Sequence, residues 1–196
     1  MKGGKKMCSR KNRKKYGSNL ETSNIAYWTI RVMHDNPFLP LVRNPNKILR
    51  AAGLEESQKV LEVGCGPGFF TIPAARIVGD EGHVYAVDIH PRAVARVKKK
   101  VEKVALTNVT TLCINASNTG LPGGSVDLAF LFGLRSIAGG LESVISELHR
   151  VLKPGGILSF EKTRGSEGEL LKEVERGGFA YTGKRGRIVL FKKKGE

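Results

Sequence analysis

Residues 60–70 read VLEVGCGPGFF, a short apolar run that leads into a glycine-rich turn. Such a sequence predicts a β-strand, a tight loop and then a helix, the place where many α/β proteins bind a nucleotide. The glycines Gly64, Gly66 and Gly68 follow the pattern G-x-G-x-G, whereas the dinucleotide fingerprint is G-x-G-x-x-G. Glu62 lies just before them, and its carboxylate would repel a pyrophosphate and attract an ammonium group. The stretch therefore predicts a nucleotide-type ligand with a positive charge at this loop.

Strand and helix patterns alternate on both sides of this loop. Apolar residues recur at spacings of three and four where we predict helices, and they form continuous runs where we predict strands. One helix is expected to bury a face formed by Val94, Val97, Val101 and Val104. The predicted helices are 45–52, 69–78, 91–104, 141–152 and about 166–176, and the predicted strands are 59–63, 83–87, 109–114, 126–132, 157–160, 179–182 and 187–191. The run KPGG at 153–156 is predicted to end the fourth helix and turn into the next strand.

This alternation predicts an α/β fold with a parallel, doubly wound, Rossmann-like sheet, because each crossover between parallel strands is right-handed. Only residues 183–186 separate the last two strands, which is too short for a crossover. Those strands are therefore predicted to form a hairpin, so that one strand of the sheet is antiparallel. In such sheets a ligand binds over the carboxyl ends of the strands, next to the turn after the first strand.

A second acid, Asp88, ends the second predicted strand. A carboxylate at that position accepts hydrogen bonds from ribose hydroxyls. Glu62 and Asp88 together indicate a nucleoside that carries a positive charge and no phosphate. S-adenosylmethionine fits this description, because it joins a ribose to a sulfonium and an amino-acid end. Each feature alone also has a structural explanation, since glycines serve any tight turn and Asp88 could cap the helix that begins at Pro91.

Four segments resemble, in order, the successive motifs of class I S-adenosylmethionine-dependent methyltransferases. They are VLEVGCGPG at 60–68, VYAVDI at 84–89, the L-P-x-x-x-x-D segment from Leu121 to Asp127, and HRVLKPGG at 149–156. The resemblance covers residues 45–196. It implies a seven-stranded sheet in the order 3-2-1-4-5-7-6, in agreement with the predicted hairpin.

The same resemblance implies a set of cofactor-binding residues. Those expected around the methionine end are Glu62, Gly64, Cys65, Gly66 and Gly68, and those expected around the ribose and adenine are Asp88, Ile89, Asn115 and Ala116. Asn115 departs from the family, which usually has Asp there, but its amide oxygen is still an acceptor for the exocyclic amine of adenine. Cys65 is expected to be a small filler of the loop rather than a nucleophile.

The methyl acceptor is less well defined by the sequence. The fourth strand lacks the N-P-P-Y or D-P-P-Y run that amino methyltransferases use to hold a planar amine, and the P-C signature of RNA 5-methylcytosine enzymes is absent. FGLR at 132–135 and RVLKPGG at 150–156 are similar to the menaquinone and ubiquinone C-methyltransferases. The chain departs from that group because the amino-terminal Y-D-x-M-N motif is missing and only a few residues stand around 162–166, where the group has a long insertion. We expect a small-molecule acceptor.

Two residues are candidates for a catalytic role. Arg135, just past the fourth strand, is a candidate for holding an oxygen of the acceptor, and His34 is a candidate base. Methyl transfer from a sulfonium needs alignment more than a base, so a dedicated base is optional. His34 lies in an aromatic segment at 24–43, within residues 21–44, which is compatible with a lid over the pocket and equally with a helix on the sheet edge.

The positive charge of the chain is concentrated at its start. Of the 33 Lys and Arg residues, which outnumber 18 acids for a net charge of +15, eight lie in residues 1–20 without any acid. This tail is expected to be disordered, and it could contact nucleic acid or another polyanion or simply add solubility. An RNA or protein methyltransferase is therefore an alternative function. A non-catalytic, cofactor-binding subunit is another.

Apolar runs in the sequence are short. None approaches the roughly 18 consecutive apolar residues of a membrane helix, and no apolar h-region follows the basic start. The three cysteines are an odd number without C-x-x-C spacing, so we predict no metal site. These features lead us to expect a cytoplasmic protein.

Overall fold

The structure, a computed structural model, describes residues 39, 43–133, 137–138, 140–161 and 166–195. The helices with defined bounds in these ranges are α1 (Pro45–Ala51), α2 (Thr71–Val78), α3 (Pro91–Lys103), α4 (Leu141–Val151) and α5 (Glu167–Arg176). The strands are β1 (Lys59–Val63), β2 (His83–Asp88), β3 (Val109–Cys113), β4 (Val126–Phe132), β5 (Leu152–Glu161), β6 (Phe179–Arg185) and β7 (Ile188–Lys193). The predicted tail at 1–20, most of segment 21–44, His34 and Arg135 lie outside the described residues.

The strands form one sheet in the order β3-β2-β1-β4-β5-β7-β6, which confirms the predicted topology. β1 pairs in parallel with β2 on one side and with β4 on the other. β7 runs antiparallel to both β5 and β6, as the predicted hairpin requires. Strand order therefore reverses at β1, and the crevice for a ligand opens above its carboxyl end.

The prediction that KPGG ends α4 and forms a turn before the next strand is wrong in detail. These residues belong to β5, which begins directly after α4. Val126 pairs with Leu152 and Leu128 with Ile157, so residues 153–156 form a bulge between these two pairs. A Cβ on Gly156 would lie 2.9 Å from the carbonyl oxygen of Lys153, so only glycine fits this bend without a shift.

Side chains alternate between the two faces of the sheet, and each face carries its own helices. Leu61, Leu131 and Phe160 pack in one cluster with apolar residues of α4 and α5. Val60 and Phe130 pack in a second cluster with residues of α1 and α2. α3 covers Ala86 of β2 through Val97 and Val101. The doubly wound arrangement predicted from the alternation of elements is thus present.

The predicted apolar face of α3 is only partly correct. Ala93, Val97 and Val101 are buried, whereas Val104 follows the end of the helix and is 39% exposed. Val94 is half-buried. The helix ends before Val104 can complete the face, so Ala93 takes part in the packing instead.

Candidate functional site

Four side chains near the carboxyl ends of neighbouring strands share one face of the sheet. Glu62 follows Val60 by two residues on β1, and Asp88 follows Ala86 by two on β2, so each acid lies on the same face as the earlier residue. Phe132 of β4 lies directly beside Glu161 of β5. Because side chains alternate along a strand, all four point to the face covered by α1, α2 and α3.

A cleft lies above this edge of the sheet. Its walls combine two carboxylates, the glycine-rich loop and several aromatic rings. The lining residues are Glu62, Val63, Gly64, Cys65, Gly66, Phe69, Phe70, Asp88, Phe130, Phe132 and Gly133. Five of the nine predicted cofactor residues, all at or before Asp88, are among them.

The backbone amides of the loop already have partners within the protein. The N–H groups of Gly64 and Cys65 donate to the carbonyl oxygen of Val87 at 2.8 and 3.0 Å. The N–H of Gly66 donates to Oδ2 of Asp88 at 2.9 Å. A pyrophosphate would therefore meet acidic side chains instead of free amides, whereas a cation would be favoured. This geometry supports the reasoning from Glu62 against a dinucleotide.

Glu62 is an acid almost fully removed from water. It is 2% exposed, and its Oε2 accepts a hydrogen bond from Oγ1 of Thr71 at 2.6 Å. Burial raises the pKa of Glu62 to about 8; the hydrogen bond from Thr71 opposes this rise, and the charge of Asp88 adds to it. Near pH 7 the side chain is therefore largely neutral until a cation lies beside it.

Asp88 both holds the loop and faces the cleft. Its Oδ1 accepts from the backbone N–H of His90 at 2.7 Å, and its Oδ2 accepts from Gly66. Burial raises the pKa of Asp88, while the backbone hydrogen bonds from His90, Gly66 and Ile89 oppose the rise. These bonds fix the carboxylate of Asp88 at the carboxyl end of β2, beside the cleft. Its remaining lone pairs can accept hydrogen bonds from a ligand.

Two members of the predicted loop set have packing functions. A Cβ on Gly68 would lie 3.1 Å from Cγ2 of Val97, so the glycine lets α3 approach the loop closely. Gly68 does not line the cleft. Cys65 is buried, and burial together with the charges of Asp88 and Glu62 raises the pKa of its thiol, which keeps it a poor nucleophile. At Gly66, by contrast, the space for a Cβ is empty to 4 Å, so the backbone opens on the cleft.

Ile89, Asn115 and Ala116 lie outside the cleft lining. The loop after β3 is joined to the end of β2 by a bond from Ile114 N–H to the carbonyl oxygen of Asp88 at 3.1 Å. Oδ1 of Asn115 accepts from the backbone N–H of Ser117 at 2.9 Å. Its Nδ2 is buried and has no hydrogen-bond partner among the residues that the structure describes. The atom of Asn115 that is left without a partner is thus a donor, whereas the expectation from the sequence concerned its acceptor oxygen, which Ser117 already engages.

Sequence reasoning missed a polar pair, Arg43 and Glu161, that lies beside the cleft. Nη2 of Arg43 donates to Oε2 of Glu161 in a salt bridge. The carbon at the centre of the guanidinium lies 5.1 Å from the ring centroid of Phe70 and 5.8 Å from that of Phe69. Ile157, Ser159 and Glu161 follow one another at two-residue spacing along β5 and therefore share a face. This spacing could have placed the side chain of Glu161 on the face that carries the cleft.

The aromatic rings form a continuous wall. Phe69 and Phe70 meet edge to face at a centroid distance of 4.9 Å. Phe70 contacts Phe132 at 5.2 Å, and Phe132 stacks on Phe130 at 4.7 Å. Offset and edge-to-face contacts of this kind hold rings in fixed orientations. The wall gives the cleft an apolar surface between the glycine loop and the pair formed by Arg43 and Glu161.

Two further findings bear on the site. No helix in the described ranges combines the length and the apolar composition needed to cross a bilayer. In the same part of the chain, no cluster of three or more His, Cys, Asp or Glu side chains is arranged to hold a metal ion.

Comparisons with known proteins agree on the family. Residues 60–156 match the family described as methyltransferase domain. Demethylmenaquinone methyltransferase of Geobacillus stearothermophilus is 36% identical over 111 residues, which are 56% of this chain and 47% of that protein. The protein of the same name from Listeria welshimeri is 33% identical over 129 residues, which are 65% of this chain and 54% of that protein. The chain thus spans about half the length of the curated relatives it matches.

A solved structure extends this similarity to most of the chain. The crystal structure of a SAM-dependent methyltransferase from Aquifex aeolicus is 28% identical and aligns with a TM-score of 0.70, covering 85% of this chain and 96% of that one. The strand order and the antiparallel β7 are those expected of the same class. Residues 60–156 therefore form a methyltransferase domain, and the chain is similar in sequence to part of the demethylmenaquinone methyltransferases and in fold to the class I S-adenosylmethionine-dependent methyltransferases, whose cofactor is S-adenosylmethionine.

Proposed function

We propose that the protein transfers the methyl group of S-adenosylmethionine to a small apolar acceptor. One observation carries the proposal: Glu62 and Asp88 converge on a cleft whose loop amides at Gly64, Cys65 and Gly66 are already bonded within the protein. That combination favours a cationic nucleoside over a phosphorylated one. The aromatic wall beside it offers an apolar surface for the acceptor.

The residues of the cleft fit the cofactor in charge and shape. Glu62 would pair with the ammonium of the methionine end and Asp88 would accept from the ribose hydroxyls, with Gly66 leaving room for both. The unpartnered Nδ2 of Asn115 would donate to a ring nitrogen of the adenine. When bound, the cofactor supplies a methyl group made electrophilic by the sulfonium. The task of the protein is then to align the acceptor with that methyl group and to exclude water.

The assignment of the acceptor as a small molecule has two supports. The relatives named above are demethylmenaquinone methyltransferases, which suggests an acceptor of modest size. The aromatic part of the cleft lining consists of Phe69, Phe70, Phe130 and Phe132, which favours an apolar ring. A quinone is not assigned, because the Y-D-x-M-N motif of that group is absent from this sequence. A small acceptor together with a freely diffusing cofactor is consistent with a cytoplasmic enzyme.

Methylation of RNA or protein is the competing function, and the basic residues 1–20 are the observation that favours it. In this proposal the chain divides into that tail, a covering segment at 21–44 and a cofactor-binding domain at 45–196. If the tail binds nucleic acid, its contacts release counterions, and affinity falls steeply as salt rises.

The test compares the full chain with a form lacking residues 1–20 in methyl transfer from labelled cofactor to total RNA, to protein and to a small-molecule extract, at two salt concentrations. Asp88→Ala serves as the cofactor-binding control, since loss of ribose hydrogen bonds should weaken binding at least about tenfold. We expect both forms to label the small-molecule fraction equally and at both salt concentrations. Labelling of RNA by the full chain alone, abolished by high salt, would establish the competing function.

A further inference from the structure

A charged pair, Arg43 and Glu161, lies beside the aromatic wall of the cleft and has no part in the cofactor contacts proposed above. Glu161 is the last residue of β5, and its side chain is 6% exposed, while that of Arg43 is 25% exposed. Nη2 of Arg43 lies 4.0 Å from the point where Gly133 would carry a Cβ. Gly133 itself lines the cleft, directly after β4. The guanidinium is therefore at the rim of the cleft where β4 and β5 end.

The guanidinium of Arg43 has more N–H donors than it uses within the described residues. It carries five N–H groups, and Nη2 donates to Glu161. Among the residues that the structure describes, no second acceptor bonds this group. Its contacts with Phe69 and Phe70 are with ring faces, which hold the plane of the guanidinium without using its N–H groups. Arg43 is thus fixed by Glu161 and the rings, with unused N–H groups available to a ligand.

We infer that Arg43 binds an anionic oxygen of the methyl acceptor, and that the acceptor is a flat, apolar molecule with an acidic hydroxyl group such as a phenol or an enol. The inference rests on the function proposed above and names the acceptor class for the same site. The ring wall suits a flat apolar body, and the guanidinium stabilises the deprotonated oxygen. The hydroxyl proton passes to the solvent on binding, so no oxidant or reductant takes part. Deprotonation raises the electron density on this oxygen and on the ring carbons conjugated with it. Either position can then act as the nucleophile that attacks the methyl group of a sulfonium.

The partner acid limits the charge that the site accepts. Arg43 and Glu161 together are neutral, so the pair suits one weakly acidic oxygen and not the several charges of a phosphate. Glu161 acts as a positioning residue that holds the guanidinium and moderates its attraction for anions. Removing the charge of Glu161 while keeping an acceptor oxygen should therefore strengthen binding of an anion, whereas removing the charge of Arg43 should weaken it.

The test uses 4-nitrophenol as the acidic probe, because its phenolate absorbs visible light, and 4-nitroanisole as the matched probe that cannot ionise. Both are titrated into the full chain, with and without S-adenosylhomocysteine. Arg43→Met keeps an apolar stem against Phe70 and should weaken nitrophenolate binding at least about tenfold while nitroanisole binding stays unchanged. Glu161→Gln should tighten nitrophenolate binding and lower the pH at which the bound probe ionises. Arg76→Gln, an exposed arginine on α2, is the control.

Separate readouts distinguish this inference from the proposed function. Calorimetry with S-adenosylhomocysteine tests the cofactor site alone, and failure to bind there would overturn the proposed function whatever the probes do. The preference for nitrophenolate over nitroanisole tests whether Arg43 binds an anionic oxygen, and it is measured both with and without S-adenosylhomocysteine. Equal loss of both probes in Arg43→Met, or a loss of nitrophenolate affinity in both Arg43→Met and Glu161→Gln, would show that the pair only fastens the chain before α1 to β5, and would overturn the inference.

Discussion

If Glu62 pairs with the ammonium of the cofactor as proposed, cofactor binding should depend on pH. In the free protein burial raises its pKa to about 8, so near neutrality it carries a proton. An ammonium beside it favours the carboxylate, and binding should release that proton. Affinity for S-adenosylmethionine should therefore rise with pH up to about 8, by at most about tenfold for each pH unit, while Glu62→Gln should bind weakly and lose this dependence. Calorimetry between pH 6 and 8, in buffers of different ionisation enthalpy, measures the released proton directly.

Asn115 offers a test of how the adenine is bound. Its oxygen is bonded to the N–H of Ser117, and its buried Nδ2 is the atom proposed above to meet the adenine. Asn115→Asp replaces this donor by an acceptor, so we expect binding of S-adenosylhomocysteine to weaken about five- to tenfold. Asn118→Asp, an exposed asparagine in the same loop, is the control. Tighter binding by Asn115→Asp would mean that the family's acceptor contact with the exocyclic amine applies here as well.

At the scale of elements, a buried carboxylate joins two of the motifs that suggested the family. Glu147 of α4 accepts from Thr119 through the backbone N–H at 2.8 Å and the hydroxyl at 2.5 Å. Nε of Arg150 donates to the other oxygen of Glu147 at 2.8 Å, and Nη2 of Arg150 bonds the carbonyl oxygen of Leu121 at 2.8 Å. The loop before β4 and the end of α4 are thus held together away from the cleft.

This network should contribute to stability without affecting the cofactor. Burial alone would raise the pKa of Glu147, but hydrogen bonds from Arg150 and Thr119 and the charge of Arg150 lower it. Because the pKa is lower in the folded state, its stabilisation is present above the ordinary value of 4.5 and is lost as the pH falls through the lowered value. We expect Glu147→Gln to reduce the free energy of unfolding by about 1–2 kcal/mol at pH 7. Urea unfolding measures it, with the exposed Glu142→Gln as control; an equal effect of both would contradict the assignment.

At the scale of the whole molecule, Glu62 makes stability depend on pH in the opposite direction. Its pKa is higher in the folded than in the unfolded state, so between about 4.5 and 8 the folded protein binds more protons and stability falls as the pH rises. The loss is at most about 1.4 kcal/mol for each pH unit. The melting temperature of the ligand-free protein should therefore decline from pH 6 to 8, and Glu62→Gln should reduce that decline. A melting temperature that rises equally in both proteins over this range would refute the burial of a neutral Glu62.

The sequence was sufficient to predict the order of the elements and the two acids at the candidate site, Glu62 and Asp88. Strand and helix periods, the short link before the last strand and the G-x-G-x-G loop are local features, and they predicted the topology and the positions of Glu62 and Asp88. The prediction for KPGG was less accurate, because Pro and Gly mark any sharp bend. A bulge inside β5 differs from a turn only through its pairing with β4.

Tertiary structure alone decided the rest, since it depends on residues that the chain brings together from a distance. Arg43 and Glu161 are 118 positions apart, and no local pattern links them. Which atom of Asn115 is left without a partner depends on the bond that Ser117 makes to its oxygen. The raised pKa of Glu62 comes mainly from burial, a property of the packed sheet that a sequence motif does not contain. The sequence thus determined the fold and the positions of the two acids, and the packing determined the protonation of Glu62 and the pairing of Arg43 with Glu161.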